Sequence, residues 1–381
     1  MTPTGGGRVA YVGFVTGDGG DALQMLTLAH GVQGSGWEVE VHVPDTPENA
    51  RFAQRCGALG VWAATTGSIV ITGPGSRQRL RPLVRFVRTL DADVVHVHAG
   101  DVCLPRTMML ALLLTRRRAV VATLQSPYPF FGPRSGRARF WALTARRALC
   151  AVVSPSDHGT RFQRACGIPA RLAVTIRNSI DHLAFASRDP AHPRAVLGVD
   201  AGTPVVLFSS RLDAQKRPVD AVRAFALAAP DPSPAVLAFV GSGDEEAAIV
   251  GEARRLGVDD RLRMVGYQLD VAAWLAASTA WIFPTERENF SVALLEAMAA
   301  GCAVVATMCP GNDEVLVDGA NALTFPIGDV GRAAQLLRQV LADAALRRRL
   351  GESAARTASN HSAGRMVEQY VELYTAVRER R

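Results

Sequence analysis

Lysine is nearly missing from this chain of 381 residues: of the 42 basic residues, 41 are arginine and one, Lys216, is lysine. Codon usage in a GC-rich genome accounts for the arginine excess but not for where the exception falls. Lys216 is either a chance survivor or a site where arginine will not serve. Cysteine is scarce as well. The six residues Cys56, Cys103, Cys150, Cys166, Cys302 and Cys309 form no CxxC pair. This excludes zinc-finger and dithiol motifs and leaves reduced, buried thiols as the expectation. Aromatic residues are few, and none interleave with arginine in a stripe of the kind single-strand binders use. No nucleic-acid partner is therefore expected, despite a formal charge of +7. Long apolar runs are absent. The longest strongly apolar stretch, Met108 to Leu114, is far too short to span a bilayer, and the N-terminus lacks the charged and apolar regions of a signal peptide. A cytoplasmic location is expected. The clusters Arg116 to Arg118 and Arg134 to Arg147 read as solvated faces. Peripheral membrane contact through the basic, apolar stretch 134–147 stays as an alternative.

What is present is a rhythm. Short β-branched apolar runs, each followed by a helical pattern, argue for parallel sheets covered on both faces. Val9–Val15 is followed by a glycine-rich turn and a helix near Ala22–Gln33. Glu38–Val43, Val94–Val97, Ala119–Thr123 and Ala151–Val153 continue the series. Composition shifts at Ala186–Pro204, which carries prolines and little strand signal. The rhythm then restarts with Val205–Ser209, a helix from Pro218, Val236–Val240, Leu262–Val265, Ala280–Phe283, a helix from Ser291, and Val304–Ala306. Helices follow Gly328. The last, near Ala363–Arg378, has apolar positions at three-to-four spacing and should pack one face on protein. The fold class is α/β, with two Rossmann-like domains. The expected division is 1–187 as the N-terminal domain, 188–203 as linker, 204–360 as the C-terminal domain and 361–381 as a helix returning to the first. Such a pair implies a cleft at the C-terminal ends of both sheets, where helix N-termini and glycine turns aim N–H groups at ligands.

Two segments carry chemistry. In the first, a strand ends at Pro284, a polar turn holds Glu288, Asn289 and Phe290, Ser291 is a good N-cap, and Gly301 is placed to stop the helix. Glu296 interrupts an otherwise apolar helix, so its charge either faces solvent or needs a partner. In the second, a strand ends near Ser209 and a loop carries Arg211 and Lys216, two cations that suit a diphosphate.

The Arg-then-Lys loop is followed by Val240-Gly241-Ser242-Gly243, then Gly266-Tyr267, then two glutamates eight residues apart in a segment ending Leu-Glu-Ala-Met-Ala-Ala-Gly. Together these resemble the retaining glycosyltransferases of family 4, which have the GT-B fold. The likeness is strong over 205–325 and weaker in the first half, as expected if that half receives variable acceptors. The resemblance implies that Arg211 and Lys216 neutralise the diphosphate of a nucleotide-sugar and that Glu296 holds the ribose hydroxyls. It implies that Glu288 contacts the donor sugar, with backbone N–H groups of Asn289, Phe290 and Ser291 nearby, and that Gly266 and Tyr267 lie beside the base. In the first half, Gly19 and Gly20 belong to the loop Gly17–Asp21, which in this family approaches donor phosphate and acceptor but is also what a tight turn looks like. His98 ends Val-Val-His-Val-His and either orients a hydroxyl or is structural; His96 reads as structural. Gln125 stands where many members carry a histidine against the donor sugar, so an acid–base role there is in doubt. Asn178 begins Asn-Ser-Ile-Asp, with Ser in place of the family's Gly.

The expected activity is transfer of a hexose or N-acetylhexosamine, with retention, from a nucleoside-diphosphate sugar, UDP-linked, to a hydroxyl of a small acceptor. Such an acceptor would be an aminocyclitol or another natural-product precursor, as in antibiotic biosynthesis. No cofactor and no metal are expected. Asp91-Ala-Asp93 resembles a metal-binding DxD but precedes a buried strand. The partners are the donor and the acceptor, and the protein is expected to be a monomer or homodimer. A lipid or polysaccharide acceptor is one alternative. A pyridoxal-phosphate phosphorylase built on Lys216, or a non-catalytic sugar-nucleotide binder, is another. The segment 127–133 and the loop 100–106 are expected to line the acceptor side.

Overall fold

The structure is a computed structural model that describes residues 6–15, 19–70, 79–101, 103–117, 119–126, 132–186 and 188–379. Gly17 and Asp18 of the glycine loop, Val102, and residues 127–131 of the aromatic segment lie outside the described residues. The chain divides into two compact units, Met1–Asn178 with Ala363–Arg381, and Ser179–Ser362.

The first unit is a parallel sheet of seven strands: β1 Arg8–Phe14, β2 Glu38–Pro44, β3 Trp62–Thr66, β4 Val94–Ala99, β5 Val120–Leu124, β6 Ala151–Ser154 and β7 Ala173–Thr175. Their order is β3-β2-β1-β4-β5-β6-β7. The central strands are buried on both faces, which explains their unbroken apolar runs. One face carries the helices Leu80–Thr89, Arg106–Thr115 and Gly136–Ala148, whose Leu83, Met108 and Trp141 share a core with Val12 and Val97. The other face carries Gly20–Gly34 and the last helix, Ala363–Glu379, through Met366, Val367, Tyr370, Tyr374 and Val377. Those five residues are the stripe expected from the 3.6-residue period.

The second unit is a parallel sheet of six strands: β8 Val205–Ser209, β9 Val236–Val240, β10 Leu262–Gly266, β11 Ala280–Phe283, β12 Val304–Thr307 and β13 Leu323–Phe325. Their order is β10-β9-β8-β11-β12-β13. In both sheets the strand order runs outward from the first strand, then reverses, between β1 and β4 and between β8 and β11. At such a switch point the connections leave to opposite faces and a crevice opens at the C-terminal ends of the strands.

The division differs from the sequence expectation at one place. The break falls after Asn178, not after 187, and 188–203 is not a free linker. Ile180 is buried in the second core and its N–H donates to the His361 carbonyl at 2.9 Å. Within 188–203, the helix Ala191–Leu197 buries Leu197, and Arg194 donates to the carbonyl of Ala277 at 2.9 Å. The prolines that read as a linker flank and enter a short packed helix instead. None of the six cysteines forms a disulfide, and five are buried. Among the described residues no helix is long and apolar enough to cross a membrane.

Candidate active site

In the second unit the loops after β8 and β11 meet. The loop after β8 begins with Arg211 and closes in a turn of 3-10 helix, Ala214–Lys216, whose N-cap Asp213 accepts from the Lys216 N–H at 3.1 Å. Pro218 then opens the helix Pro218–Ala228, its missing N–H being one that a first helical turn leaves unpaired anyway. Two contacts stitch this loop to the next. Glu286 N–H donates to the Gln215 carbonyl at 2.9 Å, and the Gln215 amide donates to the Arg287 carbonyl at 2.9 Å. The stitching brings Lys216 Nζ to 2.5 Å from Glu288 Oε1. Both side chains are under a tenth exposed. Thr285 Oγ1 donates to the same carboxylate oxygen at 2.7 Å, and the ammonium sits 5.3 Å from the centre of the Phe283 ring. The buried ion pair thus has an added hydroxyl donor and a cation–π neighbour, while only one of the three ammonium donors has a protein acceptor among the described residues.

Arg211 stands differently. Its side chain is 67% exposed and its guanidinium pairs with Asp213 at 3.0 Å. The two cations share one loop, but one is buried and one reaches into solvent. A surface pair of this kind is weak and is readily exchanged for a better anion.

The backbone under Glu288 is tightly specified. Glu288 N–H donates to the Pro310 carbonyl at 3.2 Å, and a Cβ on Gly311, which has φ +91°, would come within 2.3 Å of the Glu288 carbonyl oxygen. Asn289 and Ser291 are buried. Phe290, also buried, holds φ +84°, a conformation that costs a non-glycine residue about 1–3 kcal/mol. Its ring packs edge-on to His361, with 4.9 Å between centroids. Ser291 caps the following helix, Val292–Ala299, by accepting from Leu294 N–H at 3.3 Å.

Glu296 lies on that helix, partly buried. Its carboxylate has no hydrogen bond or ion pair among the described residues, and desolvation pushes it up to about 7. Such a group lacks the partner that would keep it charged. Gly266 ends β10 at φ +78°, its carbonyl accepts from Gly241 N–H at 2.9 Å, and Tyr267 beside it is 45% exposed.

In the first unit, Gly19 is the N-cap of the helix Gly20–Gly34, after β1. His98 lies in β4 in register with Gly13 of β1, and Gln125 follows β5 with its N–H donating to the Ala99 carbonyl at 2.9 Å. These residues gather at the C-terminal edge of three adjacent strands. Asn178 lies beyond β7, at the end of the unit, and is buried. The two histidines separate clearly. His96 Nδ1 is 2.5 Å from the Tyr374 hydroxyl, and Nε2 is 2.7 Å from Thr123 Oγ1, which in turn is 2.9 Å from the Tyr370 hydroxyl. His98 Nε2 is 3.3 Å from His96 Nδ1, and His98 Nδ1 is buried with no partner among the described residues. Burial drives His98 down to about 3 and holds His96 well below the ordinary range, so both rings are neutral at physiological pH. His96 is a satisfied structural residue. His98 keeps one nitrogen open. The Asp91-Ala-Asp93 pair lies before β4, at the opposite edge of the sheet, where Asp91 pairs with Arg8 and Asp93 accepts from the Arg8 N–H at 3.1 Å.

Sequence reasoning passed over Asp213, Gln215, Thr285 and Gly311, which brace the Lys216–Glu288 pair; it places Tyr370 and Tyr374 on the packing stripe but not their hydroxyls beside Thr123 and His96. Asp213, Gln215 and Thr285 sit inside the motifs already noted, and that proximity was the only available signal.

Residues 192–357 match the family model described as "Glycosyl transferases group 1", and residues 19–182 match "Glycosyltransferase Family 4". The chain belongs to the GT-B glycosyltransferases of the family 4 type. It is 31% identical to the N-acetyl-alpha-D-glucosaminyl L-malate synthase of Bacillus anthracis over 54% of each chain. It is 34% identical to the D-inositol 3-phosphate glycosyltransferase of Frankia alni over 49% of this chain and 48% of that one. The chain spans about half the length of these curated relatives. The crystal structure of Anabaena HepE in complex with UDP-glucose shares the fold, with TM-score 0.82 and 19% identity, covering 97% of this chain and all of that one.

Proposed function

We propose that this glycosyltransferase moves a hexose or N-acetylhexosamine from UDP-sugar to a hydroxyl of a small polyol or hydroxy-acid acceptor, with retention at the anomeric carbon. The observation that carries the reading is the buried Lys216–Glu288 pair at the switch point of the second sheet, with the partnerless Glu296 eight residues on. A nucleotide-sugar supplies what these groups lack. The diphosphate takes Lys216 Nζ and draws Arg211 from Asp213, and the N-terminus of the helix Val292–Ala299 adds a positive end. Ribose hydroxyls donate to Glu296 and stabilise its charge. Glu288 accepts from hydroxyls of the donor sugar while Thr285 holds its other contacts. Gly266 and Tyr267 flank the base. On the first unit, Gly19, Gly20, Gln125 and the open nitrogen of His98 lie at the C-terminal edge of its own sheet, where they would serve the acceptor, and Asn178 closes that unit.

The chemistry balances without an enzyme nucleophile. The bond between the anomeric carbon and the β-phosphate oxygen breaks as the acceptor oxygen attacks from the same face, and the acceptor proton passes to the departing diphosphate. Lys216 and Arg211 stabilise the charge that grows there, which is where preorganised cations contribute most. With those cations in place, turnover without added divalent metal is expected. The names of the malate and inositol-phosphate relatives support small hydroxylated acceptors, and the UDP-glucose bound in the Anabaena structure supports a uridine donor. A thermal-shift screen of nucleotide-sugars, followed by product isolation, tests the proposal. UDP-sugars should stabilise the protein increasingly as ligand concentration exceeds Kd, and the product should keep the donor's anomeric configuration. No response to any nucleotide-sugar removes the donor assignment, and an inverted product removes the stereochemical one.

A further inference from the structure

The helices Leu80–Thr89, Arg106–Thr115 and Gly136–Ala148 lie side by side on one face of the first sheet, since all three feed the same core. Their outer surface has a one-sided composition. The stretches 79–90, 103–117 and 132–149 contain no aspartate or glutamate and expose 11 arginines. Those 11 exceed the whole chain's formal charge of +7, so everything outside this layer sums to a negative charge. Arg81, Arg85 and Arg88 recur at helical spacing, and of the 11 only Arg137 has an acidic partner among the described residues, Asp101 at 3.6 Å.

Between the arginines stand exposed aliphatic side chains. Leu110 and Leu114 continue the stripe that Arg106 begins, and Leu143 stands between Arg139 and Arg146 on the neighbouring helix; they are 37%, 57% and 54% exposed. Arg106 spans the two helices by lying 5.5 Å from the centre of the Phe140 ring. Monomer surfaces rarely group cations and large aliphatic residues in this way without a partner.

We infer that this layer is a docking face for an anionic lipid surface. Cations next to an anionic leaflet gain from its negative potential, and leucines at the same level enter the boundary between headgroup and acyl chain. Nucleic acid fits less well. Its phosphates would use the arginines, but base stacking wants aromatic platforms, and the exposed large side chains here are aliphatic. The face belongs to the first unit and does not depend on the donor assignment made above.

Flotation of the full chain with vesicles tests the inference. Binding is expected to vesicles of 70:30 phosphatidylcholine and phosphatidylglycerol at low salt, and not to pure phosphatidylcholine. The triple variant Arg81→Gln, Arg85→Gln, Arg139→Gln should lower partitioning roughly a hundredfold, at about fivefold per charge. None of the three makes a side-chain hydrogen bond or ion pair among the described residues, so the fold is preserved, and its nucleotide-sugar thermal shift should match wild type. The variant Leu114→Ser, Leu143→Ser should still float at low salt but lose the fraction that survives about 300 mM salt, where charge attraction is screened. The inference is overturned if wild type does not float with anionic vesicles, or if the triple variant floats as well as wild type. It is equally overturned if a 30-nucleotide oligouridylate strips the protein from the vesicles and the leucine variant behaves as wild type, which would make the face a nucleic-acid site.

Discussion

Replacing Glu296 by glutamine should make the free protein more stable and a worse enzyme. The carboxyl is pushed from its ordinary 4.5 to about 7 because its helix is otherwise apolar and offers it no donor. The sign follows from proton counting. Between pH 4.5 and 7 the unfolded chain has released this proton while the folded chain retains it, so stability falls as pH rises through that window and is level above it. At pH 8 a full conversion of those two values gives about 3 kcal/mol. The side chain is partly accessible, and solvent screening brings the working figure to about 1–2 kcal/mol. A glutamine side chain at this position has no charge to desolvate and recovers that amount. Melting curves between pH 5 and pH 9 are the assay. Wild type and Glu296→Gln should coincide near pH 5, and the variant should melt roughly 2–6 °C higher at pH 8. With UDP-sugar present the order should reverse, because ribose hydroxyls donate best to an ionised carboxylate. A variant less stable than wild type at pH 8 without ligand would show that Glu296 already has a satisfying partner. A difference that does not change with pH would show that the group does not titrate in this window. Either result refutes the reasoning.

Three further outcomes follow from the same geometry. Lys216→Arg, the mildest change by charge, should lower kcat about a hundredfold or more in a UDP-release assay, on the scale of losing one preorganised donor to a transition state; near-normal turnover would return Lys216 to chance. Glu288→Gln should destabilise the protein by about 3–5 kcal/mol by leaving a buried ammonium unpaired, whereas Lys216→Met with Glu288→Gln should regain most of that stability without activity; additive melting shifts in this double-mutant cycle would mean that the pair is not coupled. Tyr374→Phe should cost about 1–3 kcal/mol in chemical denaturation, because it strips a hydroxyl from a buried histidine nitrogen, and an unchanged midpoint would show that water fills the gap.

How much of this was legible beforehand depends on burial. Val205–Ser209, Val236–Val240 and Ala280–Phe283 are read to the residue, because strands covered on both faces are unbroken apolar runs between turn signals. The strands Trp62–Thr66, Ala173–Thr175 and Leu323–Phe325 are not, because they are sheet edges. Two have three residues, and Trp-Ala-Ala-Thr-Thr is half-exposed with no alternation. The Ser291 cap and the Pro218 helix start are local chemistry and were visible. The contact between Lys216 and Glu288 crosses 72 residues. A motif can name both ends of such a contact but cannot supply the Gln215 amide and the Gly311 backbone that bring them together. The boundary after Asn178 escaped for a related reason. Proline-rich composition marks a turn, and only packing reveals whether the turn floats or is anchored.

The lone lysine acquires a physical reason when it is set beside a buried arginine of the same unit. Arg261 is 9% exposed, and its guanidinium lies 5.3 Å from the Phe225 ring centre, with Nη1 donating to the Ala229 carbonyl at 2.7 Å. Free carbonyls at a helix end can absorb a guanidinium there. Around Lys216 the acceptor is one carboxylate oxygen, already shared with Thr285, and the opposite wall is the Phe283 ring. A guanidinium brings five donors in a rigid fork, and most of them would be buried without acceptors, each at about 1–3 kcal/mol. An ammonium brings three. One meets Glu288, and the other two have no protein partner among the described residues. Two unspent donors on a short, rotatable head are what a diphosphate oxygen needs as it gains charge. The site therefore excludes arginine by its shortage of acceptors, and that same shortage leaves the lysine free to serve a ligand.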